Sequence, residues 1–142
     1  MIKGLLEGLY EMHSKNIMHR DLKPENIMFK NEDSLDLVIA DLGLGTKTTV
    51  DKFLYVRCGT PGFVAPEVIN ITDFDLKYDA VCDIYSLGII YHILYTFIFI
   101  KYKNFALFIK DLLVNHLFLE KHMRRYCNKI GTQISHLKAK NT

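Results

Sequence analysis

The chain has 142 residues, 49% of them hydrophobic and 24% charged, and its formal net charge is +2. This is long enough for one domain with a core, too apolar for a disordered chain, and too weakly charged to imply a nucleic-acid partner. The three cysteines, Cys58, Cys82 and Cys127, are odd in number and widely spaced, which fits neither a disulfide framework nor a zinc site and reads as reduced thiols in a cytoplasmic, intracellular protein.

Ile2, Leu5, Leu6, Leu9 and Met12/His13 recur at helical spacing, which predicts an amphipathic helix over residues 1–15. Glu7 and Glu11 inside that pattern exclude a signal peptide, and Ile2 excludes a myristoylation signal. Ser14-Lys15-Asn16 ends the helix, and Ile17-Met18 leads into the loop His19-Arg20-Asp21-Leu22-Lys23-Pro24-Glu25-Asn26. Ile27-Met28-Phe29 and Leu35–Ala40 read as two strands joined by the polar turn Asn31–Ser34, a hairpin. Asn26 precedes one strand and Asp41 follows the other, so the hairpin brings both oxygen-bearing side chains to one end. A shared Mg²⁺ needs that placement, because the ion prefers oxygen ligands and phosphates.

Gly43–Val56 is polar and threonine-rich and reads as a flexible loop, whereas Gly59–Pro66, with two glycines and two prolines, reads as an ordered one. Asn70-Ile71-Thr72 fits a glycosylation tripeptide that matters only in a secreted protein. The most apolar stretch is residues 80–100. Its residues 84–100 carry no formal charge and approach the length of a membrane span, but Ser86, Gly88 and His92 interrupt them, and a core helix is expected instead. Residues 121–142 hold six lysines or arginines and no acid, a basic tail.

The loop matches H-R-D-L-x-x-x-N, the catalytic-loop signature of protein kinases. Asp41-Leu42-Gly43, Gly59-Thr60-Pro61-Gly62-Phe63-Val64-Ala65-Pro66-Glu67 and Asp83-Ile84-Tyr85-Ser86-Leu87-Gly88 follow in order. On these residues the chain resembles eukaryotic-type serine/threonine protein kinases, and the wording of the Gly59–Glu67 loop is similar to calcium/calmodulin-dependent and related calcium-regulated kinases. The resemblance implies a mainly α fold with a small β-hairpin, a partial kinase fold (the C-lobe) over residues 1–96, followed by a divergent remnant and tail over 97–142. It implies transfer of the ATP γ-phosphoryl group to serine or threonine of a protein substrate, with ATP and Mg²⁺ as cofactors.

The resemblance also implies roles. Asp21 is the catalytic base that orients the substrate hydroxyl, and Lys23 contacts the transferred phosphate. Lys23-Pro24-Glu25 points to serine/threonine substrates. Asn26 and Asp41 are the magnesium ligands, Met28 floors the adenine pocket or packs in the core, and Lys23 and Glu25 lie on the nucleotide side. Leu42 replaces the usual phenylalanine after the metal aspartate. His19 packs and bonds backbone, while Arg20 receives a phosphate from the activation segment, with Thr46, Thr48 and Thr49 as acceptors. Thr60 bonds the base and the loop lysine. Asp83 bonds the catalytic-loop backbone, and Tyr85 stands where tryptophan is usual. Glu67 is expected in a buried ion pair with an arginine.

Two departures qualify the resemblance. It starts at the helix before the catalytic loop, and neither G-x-G-x-x-G nor V-A-I-K occurs in the 142 residues. The expectation is a C-lobe without its N-lobe, of negligible kinase activity alone, with an N-lobe-bearing segment as a partner in trans and no membrane or nucleic-acid partner. The alternative is an inert truncated kinase that acts as a protein-interaction module. After Gly88 the family's G-x-x-P-F-type turn is missing. Asp111 to Arg124 resembles D-L-L-x-x-x-L-x-x-D-P-x-x-R, which makes Arg124 the partner expected for Glu67.

Overall fold

The structure is a computed structural model that describes residues 2–31, 36–101 and 121. The turn expected at Asn31–Ser34 lies largely outside those residues. The pattern leading to Arg124 and the basic tail fall outside them but for Lys121. The chain divides into two compact units, Met1–Tyr95 and Thr96–Thr142.

Helix α1 (Ile2–Ser14) buries Leu5, Leu6, Leu9 and His13 on one face, as the spacing predicts. It stops because Asn16 takes a left-handed φ of 60°. Its N–H then reaches back to the His13 carbonyl at 2.9 Å, and Lys15 N–H to that of Met12 at 3.0 Å, so the last carbonyls of the helix are satisfied. The face of α1 lies against two strands, β1 (Ile17–Met18) and β3 (Leu37–Ile39). Gly8 permits the approach: a Cβ there would sit 3.2 Å from Ile39 Cδ1.

Strand β2 (Ile27–Phe29) pairs antiparallel with β3 in the register Ile27↔Ile39, Met28↔Val38, Phe29↔Leu37. This is the hairpin that the two runs and the polar turn between them implied. Ala40 N–H donates to the Asn26 carbonyl at 2.8 Å, which carries the ladder one step beyond Ile27 and Ile39 toward Asp41.

A second ladder corrects the reading of 43–56 as flexible. Strand β4 (Thr46–Lys47) pairs antiparallel with β1, Ile17↔Lys47 and Met18↔Thr46, and Thr48 N–H extends it to the Asn16 carbonyl at 2.8 Å. The segment then dips inward. Phe53 and Val56 join Met18, Ala65, Val68, Ile71 and Cys82 in one core cluster. A two-residue strand whose partner lies some thirty positions earlier leaves no local periodicity to detect.

Helix α2 (Pro66–Ile69) opens on a proline, whose fixed φ suits the first helical position, and it buries Val68. Helix α3 (Val81–Lys101) is richer in apolar residues than α1. In its first part Cys82, Asp83, Ser86, Leu87 and Ile90 are buried, a stripe at helical spacing, while Tyr85 is 40% exposed. Among the described residues no helix is long and apolar enough to cross a membrane.

Leu9 is 0% exposed and Leu54 is 84% exposed. Leu9→Ala is expected to lower the free energy of unfolding by about 2–5 kcal/mol through lost burial and a residual cavity. Leu54→Ala should change it by less than about 0.5 kcal/mol. Urea unfolding of the two variants checks both, and equal midpoints would contradict this core.

Candidate active site

A buried carboxylate fixes the loop that carries the site. Asp83, on the first turn of α3, is 0% exposed. Its Oδ2 accepts from His19 N–H and its Oδ1 from Arg20 N–H, each at 2.8 Å. Oδ2 also meets His13 Nε2 of α1 at 2.8 Å, and the Cys82 thiol donates weakly to Oδ1 at 3.9 Å. A carboxylate this deep is tolerated only because donors surround it. In return it holds Arg20 at φ 69°, a left-handed conformation that is costly for a side chain of this size.

That turn presents Asp21 outward. The Thr60 hydroxyl donates to Asp21 Oδ1 at 2.6 Å, and Lys23 Nζ lies 3.0 Å from Oδ2. Lys23 Nζ also donates to Thr60 Oγ1 at 2.8 Å, closing a triangle of carboxylate, hydroxyl and ammonium. Burial pushes the Asp21 carboxyl up, but the Thr60 and Lys23 hydrogen bonds and the Lys23 charge outweigh it and hold the group below its ordinary value. The same hydrogen bond to Asp21 raises Lys23 against a smaller opposing effect of burial, with help from the charges of Asp21, Glu25 and Asp41. Asp21 is therefore an anion and Lys23 a cation at neutral pH.

Asn26 closes the short 3-10 turn Pro24–Asn26. Its Nδ2 donates to the Asp21 carbonyl at 2.9 Å and approaches Asp21 Oδ2 at 3.5 Å. The amide nitrogen is thus committed to Asp21, and Oδ1 is the oxygen left to offer a cation. His19 joins this turn to the hairpin. Its Nε2 lies 2.8 Å from the Ala40 carbonyl, which can only accept. Its Nδ1 accepts from Asp21 N–H at 3.3 Å, so one neutral tautomer serves both bonds. Asp41 follows at φ 59°, exposed, with Oδ1 accepting from Gly43 N–H at 3.1 Å. Among the described residues no three His, Cys, Asp or Glu side chains are grouped to hold a metal. A cation at Asn26 and Asp41 would complete its shell with phosphate oxygens and water, which suits Mg²⁺.

The structure therefore joins Asp21, Lys23, Asn26 and Thr60 in one hydrogen-bonded network. Asp41 is brought beside it through the backbone, by the Ala40–Asn26 bond. Glu25 is exposed and adds only its charge. Met28 is 53% exposed on β2. This corrects the core-packing alternative for that side chain, because the face of the hairpin that carries Met28 and Val38 is open.

Arg20 is 8% exposed. Its Nε donates to the Leu44 carbonyl at 2.7 Å and its Nη1 to the Tyr55 carbonyl at 2.5 Å and the Tyr78 hydroxyl at 3.1 Å. The guanidinium also lies 5.4 Å over the Phe53 ring. Glu67 is exposed on the first turn of α2. That corrects the burial expected of it, since a carboxylate at a helix start is well placed toward solvent; the expected partner, Arg124, lies outside the described residues.

Two contributions escaped the sequence reading. His13 falls on the apolar stripe of α1, yet it binds Asp83. A histidine on an otherwise aliphatic face is the available signal. Gly59, at φ 110°, lets the Thr60 loop touch the catalytic loop, since a Cβ there would stand 2.7 Å from the Arg20 carbonyl oxygen.

A carboxylate held anionic, an ammonium, an amide and a hydroxyl in one network, with a second carboxylate beside them, is the arrangement that phosphoryl transfer to a hydroxyl calls for. Residues 1–125 match the family described as protein kinase domain, and the chain belongs to that family. It is 41% identical over 95 residues to myosin light chain kinase A of Dictyostelium discoideum, a match covering 66% of this chain and 31% of the relative. It is 42% identical over 96 residues to calcium-dependent protein kinase 4 of Plasmodium falciparum, covering 66% of this chain and 17% of the relative. Against calcium-dependent protein kinase 5 of the same organism it is 43% identical over 95 residues, covering 66% and 16%. The matches thus span under a third of the length of these curated relatives.

Asp21 is held below its ordinary value of 3.8 in the folded chain. The stability it contributes is therefore whole above that value and is lost as pH falls through the lower, folded value. Thr60→Val should move the Asp21 carboxyl midpoint upward in a ¹³C NMR titration, and an unchanged midpoint would count against the triangle. Asp83→Ala leaves two backbone N–H groups without their acceptor. It should lower the unfolding free energy by about 1–3 kcal/mol for each orphaned donor, measured in urea.

Proposed function

We propose that this chain supplies the catalytic-loop half, the C-lobe, of a protein serine/threonine kinase, which passes the γ-phosphoryl group of ATP to a hydroxyl of a protein substrate with Mg²⁺. The observation that carries this reading is the Asp21–Thr60–Lys23 triangle. Magnesium-ATP, when bound, supplies the phosphoryl group and neutralises its charge. Asp21 accepts a hydrogen bond from the substrate hydroxyl and takes its proton at a carboxylate oxygen. Its lowered basicity suits a base that positions first and takes the proton late. Lys23 spends one N–H on Thr60 and one on Asp21, which leaves the third for a phosphate oxygen. Asn26 Oδ1 and the Asp41 carboxylate are the oxygens that hold the metal. Met28 offers a purine ring an exposed apolar surface, and Glu25 adds negative charge beside Lys23.

A glycine-rich loop and its lysine would come from residues outside this sequence, in the same polypeptide or in trans. Support for a covering segment is the groove of about 400 Å3 between α1 and the hairpin, whose lining includes Gly4, Gly8, Leu37, Val38 and Leu42. Leu42 is 54% exposed and Val38 41% exposed, apolar surface that calls for a partner.

The test is Mg²⁺-dependent phosphorylation of a serine/threonine peptide by the chain combined with a segment that carries those two motifs. Asp21→Asn should lower the rate by about 10²–10⁴-fold. Asp41→Ala should raise the Mg²⁺ needed for half-maximal rate. Equal rates for native chain and Asp21→Asn would remove Asp21 from the mechanism.

A further inference from the structure

Ser86 lies in the buried stripe of α3 and is 6% exposed, a place where a polar side chain needs a partner. A serine inside a helix ordinarily returns its hydroxyl to the carbonyl four residues earlier. That acceptor, the Cys82 carbonyl, stands at 3.2 Å. The Phe63 carbonyl, 23 positions away in the chain, stands nearer, at 2.8 Å. A hydroxyl has one proton to donate, and the shorter distance favours Phe63. The bond therefore leaves the helix and fastens the loop that carries Thr60.

That loop is stiff between Thr60 and Phe63. Phe63 N–H donates to the Thr60 carbonyl at 3.1 Å, which closes a turn over Pro61 and Gly62. Proline suits the first inner position, and Gly62, at φ 91°, supplies the positive φ that the second inner position of a type II turn requires. Thr60 and Phe63 consequently move as one piece. On the other side of Thr60, Gly59 is packed tightly, since a Cβ there would stand 2.7 Å from the Arg20 carbonyl oxygen and 2.8 Å from Val64 Cγ2. Thr60 thus lies between two fixed points of the loop.

Ser86 follows Asp83 by three residues, on the same face of α3. Both line one small cavity of about 10 Å3, together with Val64 and Ala65 of the loop. Asp83 holds the backbone of His19 and Arg20, directly before Asp21. Ser86 holds the backbone of Phe63, at the far end of the Thr60 turn. The two lines of support meet in the 2.6 Å bond from Thr60 to Asp21.

We infer that Ser86 is a positioning residue of the site: its hydroxyl sets the Thr60 turn against Asp21, so that one face of α3 fixes both partners of the Thr60–Asp21 bond. Without that hydroxyl the Phe63 carbonyl loses this donor, and the turn is held at Gly59 alone. Thr60 Oγ1 then retreats from Asp21 and Lys23 together. In the phosphoryl transfer proposed above, on which the catalytic meaning of this role rests, the base loses the contact that orients it.

The experiment is a ¹³C NMR titration of the Asp21 carboxyl in the full chain. Ser86→Ala should move the midpoint upward, in the direction of Thr60→Val, because the Thr60 hydrogen bond is one cause of its lowering. Ser86→Thr keeps the hydroxyl, its added methyl has the small cavity to enter, and its midpoint should stay at the native value. In the Thr60→Val background Ser86→Ala should add nothing, since the route runs through the Thr60 hydroxyl. Leu87→Ala removes a buried side chain from the same helix with no hydroxyl to lose, and should leave the midpoint in place. A native midpoint in Ser86→Ala, a further rise when it is added to Thr60→Val, or an equal rise in Leu87→Ala overturns the role. Should Ser86→Ala not fold, Ser86→Cys keeps nearly the same size and weakens the donor. It should shift the midpoint the same way, and an unmoved midpoint there overturns the role as well. None of these readouts involves phosphoryl transfer, so failure here is distinct from failure of the kinase reading.

Discussion

The site depends on one carboxylate that is itself fully buried. Asp83 sits at the start of a buried helix and gathers His13 from α1 and the backbone of two consecutive loop residues. A buried anion is expensive unless every lone pair is used. Here the helix, the loop and α1 must all be in place for that to happen. The loop conformation is thus tied to the packing of the core rather than to its own local preferences, which disfavour Arg20 at a left-handed φ. Asp21 inherits its outward position from this anchor.

Around Asp21 the electrostatics favour a fixed anion rather than a strong base. Thr60 and Lys23 are contributed by different parts of the chain, one from the loop before α2 and one from the catalytic loop itself. They meet because Gly59 allows two backbones to touch. His19 makes the other junction, donating to the Ala40 carbonyl while it accepts from Asp21 N–H. The acid, the amide and the second carboxylate are thereby referred to one rigid frame, a requirement where catalysis consists mainly of positioning.

Much of this was legible in the residues. The stripe of α1 announces a helix, and the strand–turn–strand pattern places Asn26 and Asp41 at one end of a hairpin. The ordered motifs connect Asp21, Lys23, Thr60 and Asp83. What could not be read is long-range. Thr46–Lys47 carries no strand pattern because its two rungs draw their order from Ile17–Met18. His13 looked like filler in an apolar stripe because its partner is seventy positions away. The exposure of Glu67 and Met28 depends on which surfaces the chain leaves open, and periodicity holds no information about that. Arg20 reads as a phosphate receiver by resemblance, but its present partners are two carbonyls, a hydroxyl and a ring, set by the path of residues 44–55.

The hairpin register has a consequence for how this region tolerates change in length. Asn26 and Ala40 close the ladder at one end, while the bond from Lys30 N–H to the Asp36 carbonyl, at 2.9 Å, closes it at the other, where the connection lies. Residues added to or removed from that connection leave the distance between Asn26 and Asp41 untouched, because the paired rungs set it. A single residue inserted within β3 would turn its side chains over, and two would carry Asp41 roughly 7 Å along the strand. Sequence drift between Lys30 and Asp36 is thus mechanically insulated from the chemistry, and drift between Leu37 and Asp41 is not.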